Sequence, residues 1–166
     1  FDYWDNVPHY YSFNAAGWHV ISLDSTSQYN QTLPGTPQYN WLLDDLTADS
    51  ATCTIAYFHH PLYNVGAEGE STRMSDIWAL LAQHGVDIVL TGHDHDYQRW
   101  YALNGQGVLD PNGITQFVVG AGGHGIQDFI KTDSRMAMGF DTPPAAFGAL
   151  RMELNQDGAV YQYVNI

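Results

Sequence analysis

Two histidines stand two residues apart directly after an apolar segment of the chain. His93 and His95 belong to the run Gly92-His93-Asp94-His95-Asp96, which follows the largely β-branched segment 86–90. A short apolar run that ends at a glycine is typical of a buried strand followed by a turn. In extended backbone, residues i and i+2 point to the same side, so the two imidazoles can converge while Asp94 faces away.

Converging imidazoles of this kind suit metal binding. Neutral imidazole is a common ligand of Zn, Fe, Mn and similar ions. A neighbouring carboxylate can fix the imidazole tautomer through the second ring nitrogen, and we expect Asp94 and Asp96 to act in this way. The same pattern also fits ordinary polar loop histidines, so its interpretation depends on the elements around it.

A second pair of histidines occupies an equivalent position earlier in the chain. His59 and His60 directly follow the apolar segment 54–58, which also reads as a strand. In an open α/β sheet, functional groups meet beyond the carboxyl ends of the strands. Residues from two such strand ends can therefore form one site.

The segment between these two strands predicts how they pair. Residues 75–84 place Ile77, Trp78, Leu80 and Leu81 at helical spacing, and Gly85 follows as a helix stop. A strand, a helix and a second strand in this order predict parallel pairing through a right-handed crossover. This pairing would bring His59 beside His93 and His95.

These motifs resemble the calcineurin-like metallophosphoesterase family, in its purple acid phosphatase-like and secreted alkaline phosphatase-like branch. That family carries a His-x-Pro-x-Tyr motif and then a Gly-His-x-His motif, which segments 59–63 and 92–95 match in the same order. The resemblance extends over nearly all of the chain through segments 10–14, 36–42 and 147–148. It implies an α/β fold with a mixed β-sheet and helices on one face, as half of a four-layer αββα sandwich.

The resemblance also implies an activity and a set of site residues. The activity is hydrolysis of a phosphomonoester or phosphodiester substrate at two divalent or trivalent metal ions, such as Fe, Zn or Mn. It assigns His59 and His93 to one ion and His95 to the other. The run 120–125 is similar to the family's Gly-Gly segment, where backbone passes close to the ligands, and His124 within it is a candidate substrate-binding residue. Many relatives are exported, which implies an extracellular or periplasmic location.

Three other motifs of the family are missing from this sequence. An Asp-x-His, a Gly-Asp and a Gly-Asn-His motif would supply a bridging carboxylate, an amide ligand and an acid histidine, and none is present. The chain also opens on Phe1 without a preceding Met. We therefore expect residues 1–166 to form a single domain that is the carboxyl-terminal part of a larger phosphoesterase domain, completed by an amino-terminal half or a partner chain.

Two alternatives remain open on the sequence. The chain could be a non-catalytic structural or assembly module with a partial metal site. It could also hold one zinc ion on three histidines and a water molecule, which is a known catalytic arrangement.

Composition excludes several other classes of function. The 166 residues carry a formal net charge of −13 with only five Lys and Arg, too few cations for a surface that neutralises nucleic-acid phosphates. No run approaches the roughly 20 apolar residues of a membrane span. Cys53 is the only cysteine, so the chain can form neither an intrachain disulfide nor a thiolate zinc cluster.

The remaining segments predict the elements around the site. Segments 9–14 and 18–24 read as a hairpin turned at Ala16-Gly17, followed by a loop from 25 to 35. Thr36 and Pro37 start a helix whose apolar stripe faces the core, with Asp44 and Asp45 outward. A strand is predicted at 114–119, an irregular excursion at 126–146, and a closing hairpin at 147–154 and 159–164.

The strands 54–58 and 86–90 are apolar on both faces. Such runs are typical of strands that are covered on two sides, whereas the predicted helices can cover only one. We therefore expect a further segment or a partner chain to cover the second face.

Overall fold

The computed structural model describes residues 9–26, 31–156 and 158–165. Part of the predicted loop, at 27–30, lies outside these residues. In chain order, the elements are β1 (Tyr11–Ala15), β2 (Trp18–Ser22), α1 (Pro37–Ala48), β3 (Cys53–Tyr57), α2 (Ser75–Gln83), β4 (Ile88–Thr91), β5 (Tyr97–Trp100), β6 (Thr115–Val119), β7 (Met136–Phe140), β8 (Gly148–Asn155) and β9 (Gly158–Asn165). A short 3₁₀ turn, Thr72–Met74, leads into α2.

A seven-stranded mixed sheet forms the centre of the molecule, with strand order β1-β2-β3-β4-β6-β5-β7. The four strands β2, β3, β4 and β6 are parallel neighbours, and β1, β5 and β7 run antiparallel to the strands they pair with. The predicted parallel pairing of β3 and β4 is confirmed, with Ile55 opposite Ile88. The parallel strands therefore bring their carboxyl ends to one edge of the sheet.

Helix α1 begins as the sequence predicts, with Thr36 as N-cap and Pro37 in the first turn. Its core contacts come from Leu42 and Leu46, whereas Leu43 is exposed. The prediction that Asp45 faces outward is wrong. The Asp45 carboxylate lies 2.7 Å from Nε2 of the buried His19 ring and accepts a hydrogen bond from Ser12. His19 is thus a hydrogen-bonded core residue that ties α1 to the first hairpin.

Helix α2 covers the same face of the sheet. Its side chains Ile77, Trp78, Leu80 and Leu81 are buried, and Gly85 follows in the left-handed conformation, with a φ of 71°. Both helices join one core with the sheet residues Ile21, Ala56 and Val89. Neither helix, nor any other in the described residues, has the length and apolar character needed to cross a membrane.

The second face of the sheet is covered by the β8–β9 hairpin. Leu150, Met152, Leu154 and Tyr163 of the hairpin pack against a core of sheet residues: Trp18, Cys53, Ile55, Ile88, Tyr97 and Phe117. A segment of the chain itself therefore packs on this face, where another segment or a partner chain was expected. The alternating hairpin was itself predicted, but its apolar side lies on the central sheet. Helices, sheet and hairpin form three successive layers of the expected sandwich.

Two strands were not predicted. Strand β5 directly follows the bend at 93–96, which carries His93 and His95 and is called the histidine tip below. Strand β7 lies in the segment expected to be irregular. Gln98 in β5 is fully buried although it is polar, so the residues of this strand do not show the apolar pattern that predicts a strand. Gly139 lies within β7, where a Cβ would lie 2.7 Å from the Phe129 ring and 3.1 Å from the Tyr97 carbonyl. Packing, rather than strand propensity, explains both elements.

Arg135 connects the start of β7 to the loop that follows His60. Its guanidinium bonds to Asp133 at 2.6 Å and to the Gly107 carbonyl at 2.9 Å. It also lies over the Tyr63 ring, with 4.8 Å from guanidinium carbon to ring centre. The hydrogen bonds from Arg135 lower the pKa of Asp133 below its ordinary value.

Replacing Asp133 with Asn should destabilise the fold by about 1 kcal/mol at pH 7, because a charge-assisted, partly buried pair is lost. The folded-state pKa of Asp133 is depressed, so its contribution is present above the unfolded pKa of about 3.9 and is lost as the pH falls through the folded value. Urea unfolding of parent and variant should therefore differ at pH 7 and converge in strong acid.

Glu153→Gln is the matched control for this prediction. The pair of Arg151 and Glu153 is highly exposed, with side-chain exposures of 65% and 57%. Its removal should change stability by less than about 0.5 kcal/mol. A loss from Asp133→Asn no larger than that of the control at pH 7 would contradict the stabilising role of the Asp133–Arg135 pair.

Candidate metal centre

The histidines that end β3 and β4 meet at the carboxyl edge of the sheet. His59 Nε2 lies 3.2 Å from His93 Nδ1. Two nitrogens bound at 2.0–2.1 Å to one tetrahedral ion would be separated by about 3.3–3.4 Å. The two rings are inclined at 72°, so their nitrogens can point toward a common position without stacking. This pair has the geometry of two ligands to one ion.

His93 has an unusual backbone conformation. Its φ is 72°, in the left-handed region that non-glycine residues seldom adopt, and residues 93–96 form a bend. The expectation of an extended tip with His93 and His95 on one side of a strand is therefore wrong. The turn itself directs His93 toward His59. Such strain costs about 1–2 kcal/mol, and the surrounding hydrogen bonds must hold it in place.

We expect His93→Gly to be more stable than His93→Ala by about 1 kcal/mol, because glycine adopts positive φ without a Cβ penalty. This order reverses the usual one. The same two substitutions at His95, which does not have positive φ, serve as the control and should favour Ala. Urea unfolding of the four variants tests this, and equal stability of the two His93 variants would argue against a strained tip.

His95 is oriented by the glycine-rich loop that follows β6. Its Nδ1 lies 3.1 Å from the Gly125 carbonyl, which can only accept, so Nδ1 carries the proton and Nε2 retains its lone pair. The Gln127 side chain accepts a hydrogen bond from the His95 backbone N–H at 2.8 Å. His124 packs against His95, with ring centres 4.4 Å apart, and is exposed. His95 thus offers Nε2 as a ligand atom, with His124 beside it.

The carboxylates of Asp94 and Asp96 do not take the partners expected from the sequence. Both are fully buried, and no described hydrogen bond joins either of them to an imidazole. Asp94 accepts bonds from the Asn64 side chain and from the Glu68 backbone N–H. Asp96 accepts from Gln98 at 3.1 Å. They therefore hold the loop after β3 against the tip, and the carbonyl of Gly125 orients His95 in their place.

Close packing accompanies this buried network. A Cβ on Gly66 would overlap the Asp94 carboxylate and lie 2.6 Å from Asp96 Oδ2. Burial raises the pKa of Asp96 to about 7. The region behind the histidines is thus a compact polar support for them.

The imidazoles facing the site are favoured in their neutral form. Burial, followed by the neighbouring His93, lowers the pKa of His59, and the same causes lower the pKa of His60 to about 4. A metal ion binds a deprotonated ring nitrogen, so the environment of His59 favours ligation at neutral pH.

A family comparison agrees with this arrangement. The family model described as calcineurin-like phosphoesterase matches residues 1–97, more than half of the chain. The chain belongs to this family. It is 39% identical over 122 residues to purple acid phosphatase 18 of Arabidopsis thaliana, covering 69% of this chain and 27% of that protein.

Solved structures share the fold of this chain. A purple acid phosphatase from yellow lupin (Lupinus luteus) seeds superposes with a TM-score of 0.80 at 20% identity, covering 94% of this chain and 30% of that one. GAP50, titled the anchor in the inner membrane complex of Plasmodium, superposes with a TM-score of 0.69 at 18% identity, covering 94% and 49%. The chain spans about a quarter of the length of the curated purple acid phosphatases it matches first, 27% and 26%.

The donor set fits the metal ions that this family implies. In the part of the chain that the structure describes, the one group of three or more potential ligands is His59, His60 and His93, with ligand atoms within 4.8 Å of one another. His95 lies close enough to His59 for its charge to lower the pKa of His59. The potential ligands grouped here in the described residues are thus all imidazoles.

Sequence reasoning missed Ser25, Gln127 and the Gly125 carbonyl. Ser25 lies just beyond the end of β2, which pairs in parallel with β3. Functional groups meet beyond the carboxyl ends of parallel strands, which is how His59 was identified. Ser25 would have been identified in the same way if the parallel pairing of β2 with β3 had been predicted, and not only the hairpin with β1. The loop contacts of Gln127 have no comparable signal in the sequence.

Proposed function

We propose that this chain acts in metal-dependent hydrolysis of phosphomonoesters or phosphodiesters. The observation that carries the proposal is the 3.2 Å approach of His59 Nε2 to His93 Nδ1. The fold alone would not support an activity, because GAP50, the anchor in the inner membrane complex of Plasmodium, has the same fold. The feature that favours catalysis is the group of imidazoles beyond the carboxyl ends of β3 and β4, together with the strained backbone of His93.

Four histidines have a role in this proposal. His59 and His93 hold one ion, and His95 contributes Nε2 to a second, with Fe, Zn, Mn or similar ions as candidates. Bound ions of this kind polarise a phosphoryl group and lower the pKa of a coordinated water. Their charge would also offset the formal charge of −13, which otherwise repels anionic substrates. His124, exposed beside His95, contacts the substrate in this proposal.

The remaining ligands belong to residues outside this chain in our proposal. Neutral imidazoles leave the charge of the ions uncompensated, and a bridging group is needed to hold two ions together. We propose that the chain is the carboxyl-terminal part of a single phosphoesterase domain, with an amino-terminal half or a partner chain completing the site. We further propose an extracellular or periplasmic location.

Hydrolysis of p-nitrophenyl phosphate by the purified chain, with added Zn²⁺, Mn²⁺ or Fe³⁺, tests the proposal. We expect weak hydrolysis that depends on the added ion and is lost on chelation. Full-strength hydrolysis by the 166-residue chain would contradict the need for further ligands. Absence of any Zn²⁺-induced change in the NMR signals of His59 and His93 would contradict the metal centre itself.

A further inference from the structure

Ser25 makes three hydrogen bonds through one hydroxyl group. Its Oγ lies 3.1 Å from the backbone nitrogen of His59, 3.0 Å from that of His60, and 2.9 Å from His60 Nδ1. Ser25 is 1% exposed, so water does not compete for these contacts. The serine therefore connects the end of β2 to both histidines at the end of β3.

A count of protons assigns the direction of these bonds. Both backbone N–H groups must donate, and together they occupy the two lone pairs of the Ser25 oxygen. The third bond therefore uses the hydroxyl proton, which Ser25 donates to His60 Nδ1. Because Nδ1 accepts this bond, the ring proton of neutral His60 must be on Nε2.

This tautomer is the opposite of the one found at His95. His95 Nδ1 donates to the Gly125 carbonyl and leaves Nε2 with a lone pair for an ion. Both ring nitrogens of His60 are engaged or protonated, so no lone pair remains for a metal. His60 is near enough to the pair of His59 and His93 to be taken for a third ligand, but its hydrogen bonding excludes that role.

We propose that Ser25 holds His60 as the Nε2–H tautomer and that His60 donates this N–H to a phosphoryl oxygen of the substrate. The phosphoryl role rests on the proposed function, whereas the tautomer does not. His60 would be a substrate-binding residue, and Ser25 a positioning residue that acts through it.

The surroundings of His60 agree with an anionic ligand. His60 and His93 line a cavity of about 570 Å³ together with Thr72 and Arg73 of the 3₁₀ turn. Glu68 and Glu70 line the same cavity. Lys131 lies 3.2 Å from Glu70, whereas Glu68 accepts a hydrogen bond from the neutral amide of Gln127 at 2.9 Å and lies 4.0 Å from His93 Nε2. A phosphoryl group near His93 would thus meet an N–H donor and a guanidinium in the same cavity.

The tautomer can be read directly by ¹⁵N NMR of the histidine-labelled chain at neutral pH. We expect His60 to show an unprotonated Nδ1 and a protonated Nε2, with the reverse pattern at His95 as internal control. Ser25→Ala should remove the preference at His60, and Ser25→Thr, which keeps the hydroxyl, should restore it. A protonated Nδ1 at His60 in the parent would overturn the proposal.

Zinc and phosphate binding test the role. Zn²⁺ should shift the ring signals of His59 and His93 while His60 keeps its Nε2 proton, and His60→Ala should change Zn²⁺ affinity by less than about twofold. Inorganic phosphate should bind the Zn²⁺-loaded chain about tenfold more weakly in His60→Ala, consistent with loss of a hydrogen bond to a charged group. His60→Gln, whose amide retains an N–H donor, should recover most of this affinity.

The outcomes separate the two proposals. Tenfold weaker Zn²⁺ binding in His60→Ala, or unchanged phosphate affinity in that variant, would overturn the role proposed for His60 while leaving the metal centre in place. No Zn²⁺ binding by the parent would overturn the proposed function and the phosphoryl role together. The tautomer measured by NMR would still decide the action of Ser25.

Discussion

Replacing His59 with Ala is expected to weaken Zn²⁺ binding by at least a hundredfold. His59 Nε2 and His93 Nδ1 lie 3.2 Å apart and act as a chelating pair in the proposed centre. Loss of a residue that only supports a ligand typically costs 10–100-fold in metal affinity, and loss of a ligand should cost more. Isothermal titration with Zn²⁺, or competition with a chelating dye, would measure the effect.

His84→Ala is the matched control for this prediction. His84 is the C-cap residue of α2 and lies just before the amino-terminal end of β4. The site lies at the carboxyl end of β4, so His84 is at the opposite end of the strand. Its removal deletes one imidazole from the chain but should leave Zn²⁺ affinity unchanged within about twofold. Equal losses from His59→Ala and His84→Ala would show that Zn²⁺ binds the chain without using this centre.

Gly120→Ala is expected to destabilise the fold by about 3 kcal/mol and to disrupt the metal centre. A Cβ on Gly120 would overlap the Asp94 carbonyl oxygen and lie 2.8 Å from the carbonyl carbon. These are backbone atoms, so relief requires either the end of β6 or the tip carrying His93 and His95 to move. Overpacking typically costs 1–3 kcal/mol, and rigid backbone places this case at the upper end. Urea unfolding and Zn²⁺ titration would measure both effects.

Gly122→Ala provides the control within the same glycine-rich loop. A Cβ at Gly122 meets no atom within 4 Å, and its φ is not in the left-handed region. This substitution should change stability by less than about 0.5 kcal/mol and leave Zn²⁺ binding intact. If Gly120→Ala were equally harmless, the close passage of β6 beside the histidine tip would not constrain the site.

The sequence predicted the parts of this molecule whose patterns are local. The strands before His59 and His93 are short apolar runs, and helix α2 has both a clear apolar spacing and the stop signal of Gly85. Parallel pairing of β3 and β4 followed from their order, so the approach of His59 to His93 was predictable. The glycine-rich run was expected to pass close to the ligands, and Gly120 packs against the backbone of Asp94 and His95.

The features that sequence reasoning missed depend on contacts between distant segments. Asp45 was expected to face solvent because the polar side of a helix usually does, but buried His19 requires a partner there. Asp94 and Asp96 were assigned to the imidazoles because of proximity in sequence, whereas Asn64 and Gln98 bond to them in three dimensions. Strand β5 was missed because its central residues are polar or charged despite burial.

The tautomers at the site show the same limit. The resemblance assigned His59 to an ion and gave no role to His60, the next residue in the sequence. Only the convergence of two backbone N–H groups on Ser25 distinguishes them, and that convergence requires β2 to lie beside β3. A residue's chemistry here depends on a neighbour 35 positions away.

The strand order of the sheet has a consequence for the chain entropy of metal binding. His59 and His93 are 34 residues apart, and His95 is 30 residues from the carbonyl that orients it. In an unfolded chain, closing a loop of 34 residues costs about 3 kcal/mol, by the logarithmic dependence on loop length. The paired strands and the two apolar cores bring these ends together before any ion binds. An ion therefore binds to a ligand pair that the folded chain has already brought together. Its binding free energy is not reduced by the entropy cost of ordering the chain.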